Sequence, residues 1–409
     1  MTETAHPLDI SIVGAGIAGI AAAIALRRNG HRVQILESAQ IKAEIGAAIV
    51  VPVNAQRVLE HLGYDKENLL SVDFVAIETF NAAQGGESRS GPWRKIDGKG
   101  ALMCVRSDLH AELERLATGP GVGPPAVIRL SSQVVDCNPD EGSLTLSDGS
   151  VVQSDVVLGA DGISSTIRTH VLGYEQKSVR TGLTTSRTLL DMAALNALPE
   201  LAWLRQGASG PRNVIEFGNK FRVLFLYPCR NGTIMNFLAG VEDPHQADPG
   251  WEPSSTREDL LAEFTDYHPQ FQALFTMLPE RLPRWQLRFL PTLSTWVRGR
   301  AALLGDAAHA TLPTLGQGAA QAIEDAGALS VLFPAGTART DIPARLKAFE
   351  GLRKERAELI ARESHDQMMV PSERGKYLRD PELQKVVMGY DVLDAARKVY
   401  AEQFGGGGI

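Results

Sequence analysis

Apolar and polar positions alternate along this chain in blocks that predict its elements. "DISIV" (9–13) is a short apolar run stopped by Gly14, as expected of a buried parallel strand. From Ala18 the apolar residues crowd together through Arg28, which predicts a helix. Gly30 stands where a helix stop belongs, and Arg27 and Arg28 are expected near the negative end of the helix dipole. "RVQILE" (32–37) predicts a second strand, so the chain opens as a βαβ unit. "SDVVLGADGISSTIR" (154–168) is another strand–loop signal. In "GRAALLGDAAHATLPTLGQGAAQAIEDAGALSVLF" (299–333) a strand runs into a Gly/Pro loop and then an Ala-rich helix.

The stretch "RNVIEFGNKFRVLFLYPCRNGTIMNFLAGV" (212–241) differs, with alternating aromatic-rich strands and a hairpin turn at Asn231–Gly232. The pattern therefore predicts an α/β framework interrupted by a β-rich insertion over 179–284, with a charged helical tail over 342–409. The 409 residues suffice for two domains and a large core. A net charge of −7 argues against nucleic acid or an anionic membrane as the main partner.

Cys104, Cys137 and Cys229 lie far apart with no metal spacing, which favours a reducing compartment and a role as small core hydrophobes. No apolar stretch has the length of a membrane span, and "MTETAHPLD" lacks the features of a signal peptide. A cytoplasmic location is expected, and "FGGGGI" is expected to be a floppy end.

The glycines of "VGAGIAGIAAAIALRRNGHRVQILES" (13–38) have distinct physical tasks. Gly14 allows the tight turn out of the strand, Gly16 lets backbone approach a pyrophosphate, and Gly19 lets helix and sheet pack closely. Phosphates would sit at the helix N-terminus, where free N–H groups and the dipole favour negative charge. Glu37 ends the second strand, where a carboxylate can accept both ribose hydroxyl protons and disfavours a 2′-phosphate. In the 299–333 segment, Asp306 follows an apolar strand, and a Gly316–Gly318 loop opens a long helix. A flavin needs an acceptor for its ribityl hydroxyls and a positive dipole end near N1 and the C2 carbonyl. Asp306 and the helix start at Gly318 and Ala319 could supply both.

Together, Gly14–Gly19 with Glu37, "GADG" at 159–162 and "LLGDAAH" at 303–309 resemble the single-component FAD-dependent aromatic hydroxylases, or group A flavoprotein monooxygenases. The likeness is to their salicylate-hydroxylase-like branch and spans residues 8–370. The resemblance implies a Rossmann-like FAD-binding domain (1–73, 101–178 and 285–341) with a β-sheet substrate domain inserted (74–100 and 179–284) and a helical C-terminal segment (342–409). "EIGAAIVVPVNAQRVLEHLG" (44–63) resembles the family's flavin-side loop, with Ala48 where glycine is more usual. "VRSDLHAEL" (105–113) places Arg106 at a position that contacts FAD in the family. Ala320 stands where many members carry Asn. The resemblance gives Asp161 a role near the FAD pyrophosphate and in recognising NAD(P)H, with Arg168 following on a helical stretch.

In this family NAD(P)H visits to reduce a resident FAD, and O2 adds at flavin C4a. The resulting hydroperoxide then hydroxylates a small electron-rich aromatic, phenolic or hydroxybenzoate-like. The resemblance makes Arg187 and Tyr227 the candidate catalytic residues: an arginine stabilises a phenolate or carboxylate, and a tyrosine hydroxyl relays a proton. Pro313 is expected beside the flavin ring. His309 is expected to be a structural loop residue rather than acid–base machinery, and Arg222 has only its charge and strand position to recommend it. No metal is called for, and the chain is expected to be a monomer or homodimer. A flavin-dependent epoxidase, a dearomatising monooxygenase, a prenyl-chain reductase and a flavin redox sensor without turnover remain open on the same scaffold.

Overall fold

The computed structural model describes residues 6–40, 47–216, 220–242 and 254–405. The start of the 44–63 stretch and the glycine-rich end at 406–409 lie outside them. The expected βαβ opening is present, as strand Asp9–Val13, helix Ile17–Arg28 and strand Arg32–Leu36. These strands join a six-stranded sheet in the order 297–298, 301–303, 156–159, 9–13, 32–36, 127–129. Its pairings are parallel except for the 297–298 edge.

The register positions the site. Val13 pairs with Leu36 on one side and with Gly159 on the other, and Gly159 pairs in turn with Leu303. The carboxyl ends of four strands therefore stop in one row. Gly14, Glu37, Asp161 and Asp306, the residues that follow or nearly follow those ends, converge on one edge of the sheet. That edge is where open α/β sheets bind their ligands.

Arg27 is where the sequence predicts, at the end of its helix, but it carries a second task. Its buried guanidinium donates to the carbonyls of Leu116, Ala117, Gly119 and Gly123. It thus satisfies the carboxyl end of a neighbouring helix, Arg106–Thr118. Sequence distance hides this, because the contact spans about ninety residues and depends on how two helices cross. Arg27→Met should lower unfolding free energy by about 2–4 kcal/mol, since it strands buried carbonyls. A urea titration followed by circular dichroism measures it, and a loss under about 0.5 kcal/mol would contradict the assignment.

A second, eight-stranded sheet runs in the order 254–256, 281–289, 179–191, 234–242, 222–229, 212–215, 76–81, 89–92. One face carries Phe80, Leu190, Leu226 and Phe237, and packs against Trp203, Phe264, Phe271 and Phe275 from the connecting helices. The hairpin turn is a four-residue loop, 230–233, with Arg230 and Asn231 at positive φ and Gly232 at φ 81°. Arg230 forks onto Asp108 at 2.7 and 2.8 Å, and the Asn231 N–H donates to Leu70 O, which pins the hairpin to the α/β domain.

The tail is helical, led by Ile342–Met369 and ended by Val392–Phe404. The three cysteines are free and buried, and burial pushes the Cys137 and Cys229 thiols up to about 12. Among the described residues no helix is long and apolar enough to cross a membrane.

Candidate active site

The glycine turn has the shape its sequence demands. Gly14 has φ 101°, and a Cβ there would lie 2.4 Å from Ala160 O. A Cβ on Gly19 would lie 2.1 Å from Gly14 O, so helix and strand touch through this residue. Gly16 is different, because a Cβ there meets nothing within 4 Å. It caps helix Ile17–Arg28 without a side-chain hydrogen bond, so no cap side chain occupies the first N–H groups of that helix. Glu37 Oε2 accepts from Ala15 N–H at 2.8 Å and Oε1 from Ala39 N–H at 2.8 Å. The carboxylate is thereby held against the same turn.

Asp161 sits beside this turn, with its Cα 3.2 Å from the position of a Gly14 Cβ. Its carboxylate is occupied, accepting from Ser165 Oγ at 2.6 Å and from the Thr166 and Ile167 N–H groups at 2.7 and 3.1 Å. It thus satisfies the first two N–H groups of the short helix Thr166–Leu172, whose N-cap is Ser165, while burial pushes its carboxyl up. Arg168 is buried and bridges motifs, donating to Ile163 O at 2.7 Å and to Ala307 O at 3.2 Å. The Asp161 turn and the Asp306 turn are thus tied by one guanidinium.

Asp306 is exposed while Ala301–Gly305 and Ala307–Ala310 are buried. Gly305 has φ 55°, and a Cβ there would lie 2.7 Å from Ala18 Cβ. The Asp306 turn therefore abuts the first helix. Gly318 and Ala319 are half-exposed at the start of helix Gly318–Leu332, whose N-cap Gln317 makes no side-chain capping bond. Ala320 is buried behind them.

An open glycine cradle, two helix amino ends with no capping side chain, a held carboxylate and an exposed aspartate at one sheet edge fit FAD. The adenosine half fits Gly14–Gly19 and Glu37, and the flavin half fits Asp306, Gly318 and Ala319.

The second face of the large sheet packs, through Tyr227, Phe225 and Leu189, against Ala48, Val50, Met103 and Val105. Arg187, Leu238 and Phe225 form one cross-strand row, and all three are half-exposed. The adjacent row is Leu189, Asn236 and Tyr227, with Asn236 and Tyr227 buried. Arg187 Nε is buried with no hydrogen-bond partner among the described residues. Burial lowers its tendency to stay charged, Tyr227 offsets this, and Arg106 adds to it. Burial also raises Tyr227 well above the usual tyrosine range, so its hydroxyl keeps its proton. Arg106 opens its helix, and its N–H donates to Ala47 O at 2.8 Å. Ala48 N–H donates to Asn236 Oδ1 at 3.2 Å, which ties the flavin-side strand Ala48–Val51 to the Tyr227 row. Pro313 is exposed on the turn before Gly318.

Arg222, unassigned by sequence, pairs with Glu216 and Asp266 and lies over the Tyr267 ring, which makes it a structural residue. His309, expected in a loop, instead ends the short helix Asp306–His309, where it is buried and bonded to Asp325 at 2.8 Å. Sequence reasoning missed Asn236, Asn54 and the buried pair Glu324–Asp325. Only the last left a trace, as an acidic doublet inside an otherwise apolar helix.

Fold and site together define a flavin-binding oxidoreductase. Residues 7–364 match the family described as FAD binding domain, and the chain belongs to that family. The hispidin-3-hydroxylase of Neonothopanus nambi is 41% identical, covering 98% of this chain and 97% of its own length. The 6-hydroxynicotinate 3-monooxygenase of Bordetella bronchiseptica is 31% identical, over 94% of this chain and 95% of its own. Among solved structures, a salicylate hydroxylase substrate complex superimposes with a TM-score of 0.76 at 26% identity, covering 96% of this chain and 98% of that one. The protein is an FAD-dependent monooxygenase of the aromatic-hydroxylase type.

Proposed function

We propose that this enzyme uses NAD(P)H and O2 to hydroxylate a phenolic or hydroxybenzoate-like ring lying over the Arg187–Leu238–Phe225 row. The observation that carries this reading is Arg187 on that half-exposed row, with its Nε buried and without a hydrogen-bond partner among the described residues. A partly desolvated cation is costly when its donors are left unpaired, and a bound phenolate or carboxylate relieves that cost. An anion there also favours the more electron-rich, deprotonated ring, which is the form that electrophilic oxygen attacks.

FAD, when bound, supplies the oxygen-activating redox chemistry. Gly14–Gly19 and Glu37 hold its adenosine half, with Arg106 and the backbone at Ala48 beside the flavin. Asp306, Gly318 and Ala319 hold its polar edge. Arg187 binds and orients the acidic group of the substrate. The Tyr227 hydroxyl, protonated because of its burial, donates a hydrogen bond to the same oxygen. Leu238 and Phe225 supply the apolar floor that keeps water from the reacting ring. Asp161 acts through the cofactor edge of the fold, holding the turn beside Gly14. Three buried free cysteines agree with a reducing, cytoplasmic setting.

The 41% identical relative makes hispidin the first compound to test. Hispidin, salicylate and 6-hydroxynicotinate should be compared for stimulated NAD(P)H oxidation and for products heavier by one oxygen atom. At least one phenolic compound is expected to stimulate turnover and gain an oxygen. Tight flavin binding with no stimulation by any phenol, hydroxybenzoate or hydroxypyridine would overturn the proposal.

A further inference from the structure

Arg353, on helix Ile342–Met369, is fully buried, as are Glu324 and Asp325 on helix Gly318–Leu332. Its guanidinium donates to Asp325 Oδ1 at 2.9 Å, Glu324 Oε2 at 2.5 Å and Gln321 Oε1 at 2.8 Å. Arg356, one turn further on, forks onto both Glu324 oxygens at 2.8 Å. Burial pushes both carboxyls up, but the arginines, and His309 for Asp325, outweigh it and hold them ionised.

The far side of the same carboxylates reaches the flavin edge. Asp325 Oδ2 accepts from Gly305 N–H at 2.9 Å, next to Asp306, and contacts His309 Nε2 at 2.8 Å. A carboxylate only accepts, so His309 Nε2 carries a proton. Glu324 Oε1 accepts from Asn54 Nδ2 at 2.7 Å, and the same amide donates to Gln317 Oε1 at 2.9 Å, next to Gly318. The ends of the network are thus the residues that precede the two expected flavin contacts.

Buried ion pairs are a weak source of stability, since apolar residues of equal volume often serve as well. A guanidinium fork does impose direction on the groups it binds. We infer that Arg353 is a positioning residue for FAD. Through Glu324 and Asp325 it sets the spacing between the Asp306 turn and the amino end of helix Gly318–Leu332. This rests on the assignment of Asp306, Gly318 and Ala319 to the flavin.

The helix end favours the extra negative charge of reduced flavin, so its displacement should weaken binding of the reduced form more than the oxidised. The test uses purified holoenzyme carrying Arg353→Lys, or the double change Asp325→Asn with Arg353→Gln, which leaves the Glu324–Arg356 fork in place. Folding is checked by cooperative thermal unfolding. FAD affinity should fall about tenfold, and the reduced-over-oxidised preference about tenfold, a midpoint about 30 mV more negative for two electrons.

A folded double variant with parental FAD affinity and midpoint would overturn the inference. If neither variant folds, Asn54→Ala, which spares the three arginine–carboxylate pairs, decides by the same readouts and in the same directions. Asp306→Ala run in parallel separates the failures. If it leaves FAD binding unchanged, the flavin assignment itself is wrong. If it weakens FAD while the network variants do not, only the role of Arg353 falls.

Discussion

Arg187→Met is expected to lower kcat/KM for the aromatic substrate by about a hundredfold to a thousandfold, roughly 2.7–4 kcal/mol of transition-state stabilisation. The estimate is that for removing one preorganised charge donor from a site shielded from water. FAD content should be unchanged, because Arg187 stands on the eight-stranded sheet, outside the strand ends that carry Gly14, Glu37 and Asp306, and its row continues through Leu238 and Phe225. Met keeps the length and apolar bulk of the side chain, so loss of charge is separated from loss of packing. Arg187→Lys should recover only part of the activity, since the ammonium lacks the planar fork. Steady-state kinetics, with flavin absorbance per protein as the control, measure both. An Arg187→Met enzyme with near-parental turnover would remove Arg187 from the site.

Asp306→Ala should weaken FAD binding by about tenfold to a hundredfold, on the scale of roughly 1.5–3 kcal/mol for a hydrogen bond to a charged group. Asp306 is the one exposed residue in the otherwise buried run 301–310, and its carboxylate has no hydrogen-bond or ion-pair partner among the described residues. Stability of the apoprotein should therefore hardly move. Asp306→Asn retains an acceptor and should lose less. Equilibrium dialysis or flavin fluorescence quenching gives the dissociation constants, and a variant that stays fully yellow and active would discard this role for Asp306.

Much of the candidate cofactor site was legible because it is made by backbone. A strand, a turn at positive φ and a helix amino end are local features, and only glycine tolerates Gly14 at φ 101° beside Ala160. The register then follows from short apolar strands that must align to bury both faces. Asp161 was legible as a polar turn after a strand, but not as an acceptor already committed to Ser165, Thr166 and Ile167. Arg27 was legible as an end charge of its own helix, but not as the residue that also caps another. Arg222 offered only its charge and strand position, and the structure pairs it with Glu216 and Asp266.

The sequence by itself determined the βαβ start, the glycine turn, the acid after the second strand, and the strand–loop–helix that carries Asp306. Each follows from periodicity or from a backbone conformation open to few residues. Tertiary structure alone decided which charges are solvated and which are shared. Arg353 and Arg356 would pass for ordinary helix-surface charges in a linear reading, and the doublet Glu324–Asp325 stands out only as acids in an apolar helix, with no hint of partners. Packing of helix Ile342–Met369 on helix Gly318–Leu332 removes them from water and joins them to Asn54, Gly305 and His309. Polar partners in a core are chosen by proximity in space, because a buried charge must be matched wherever the fold places it.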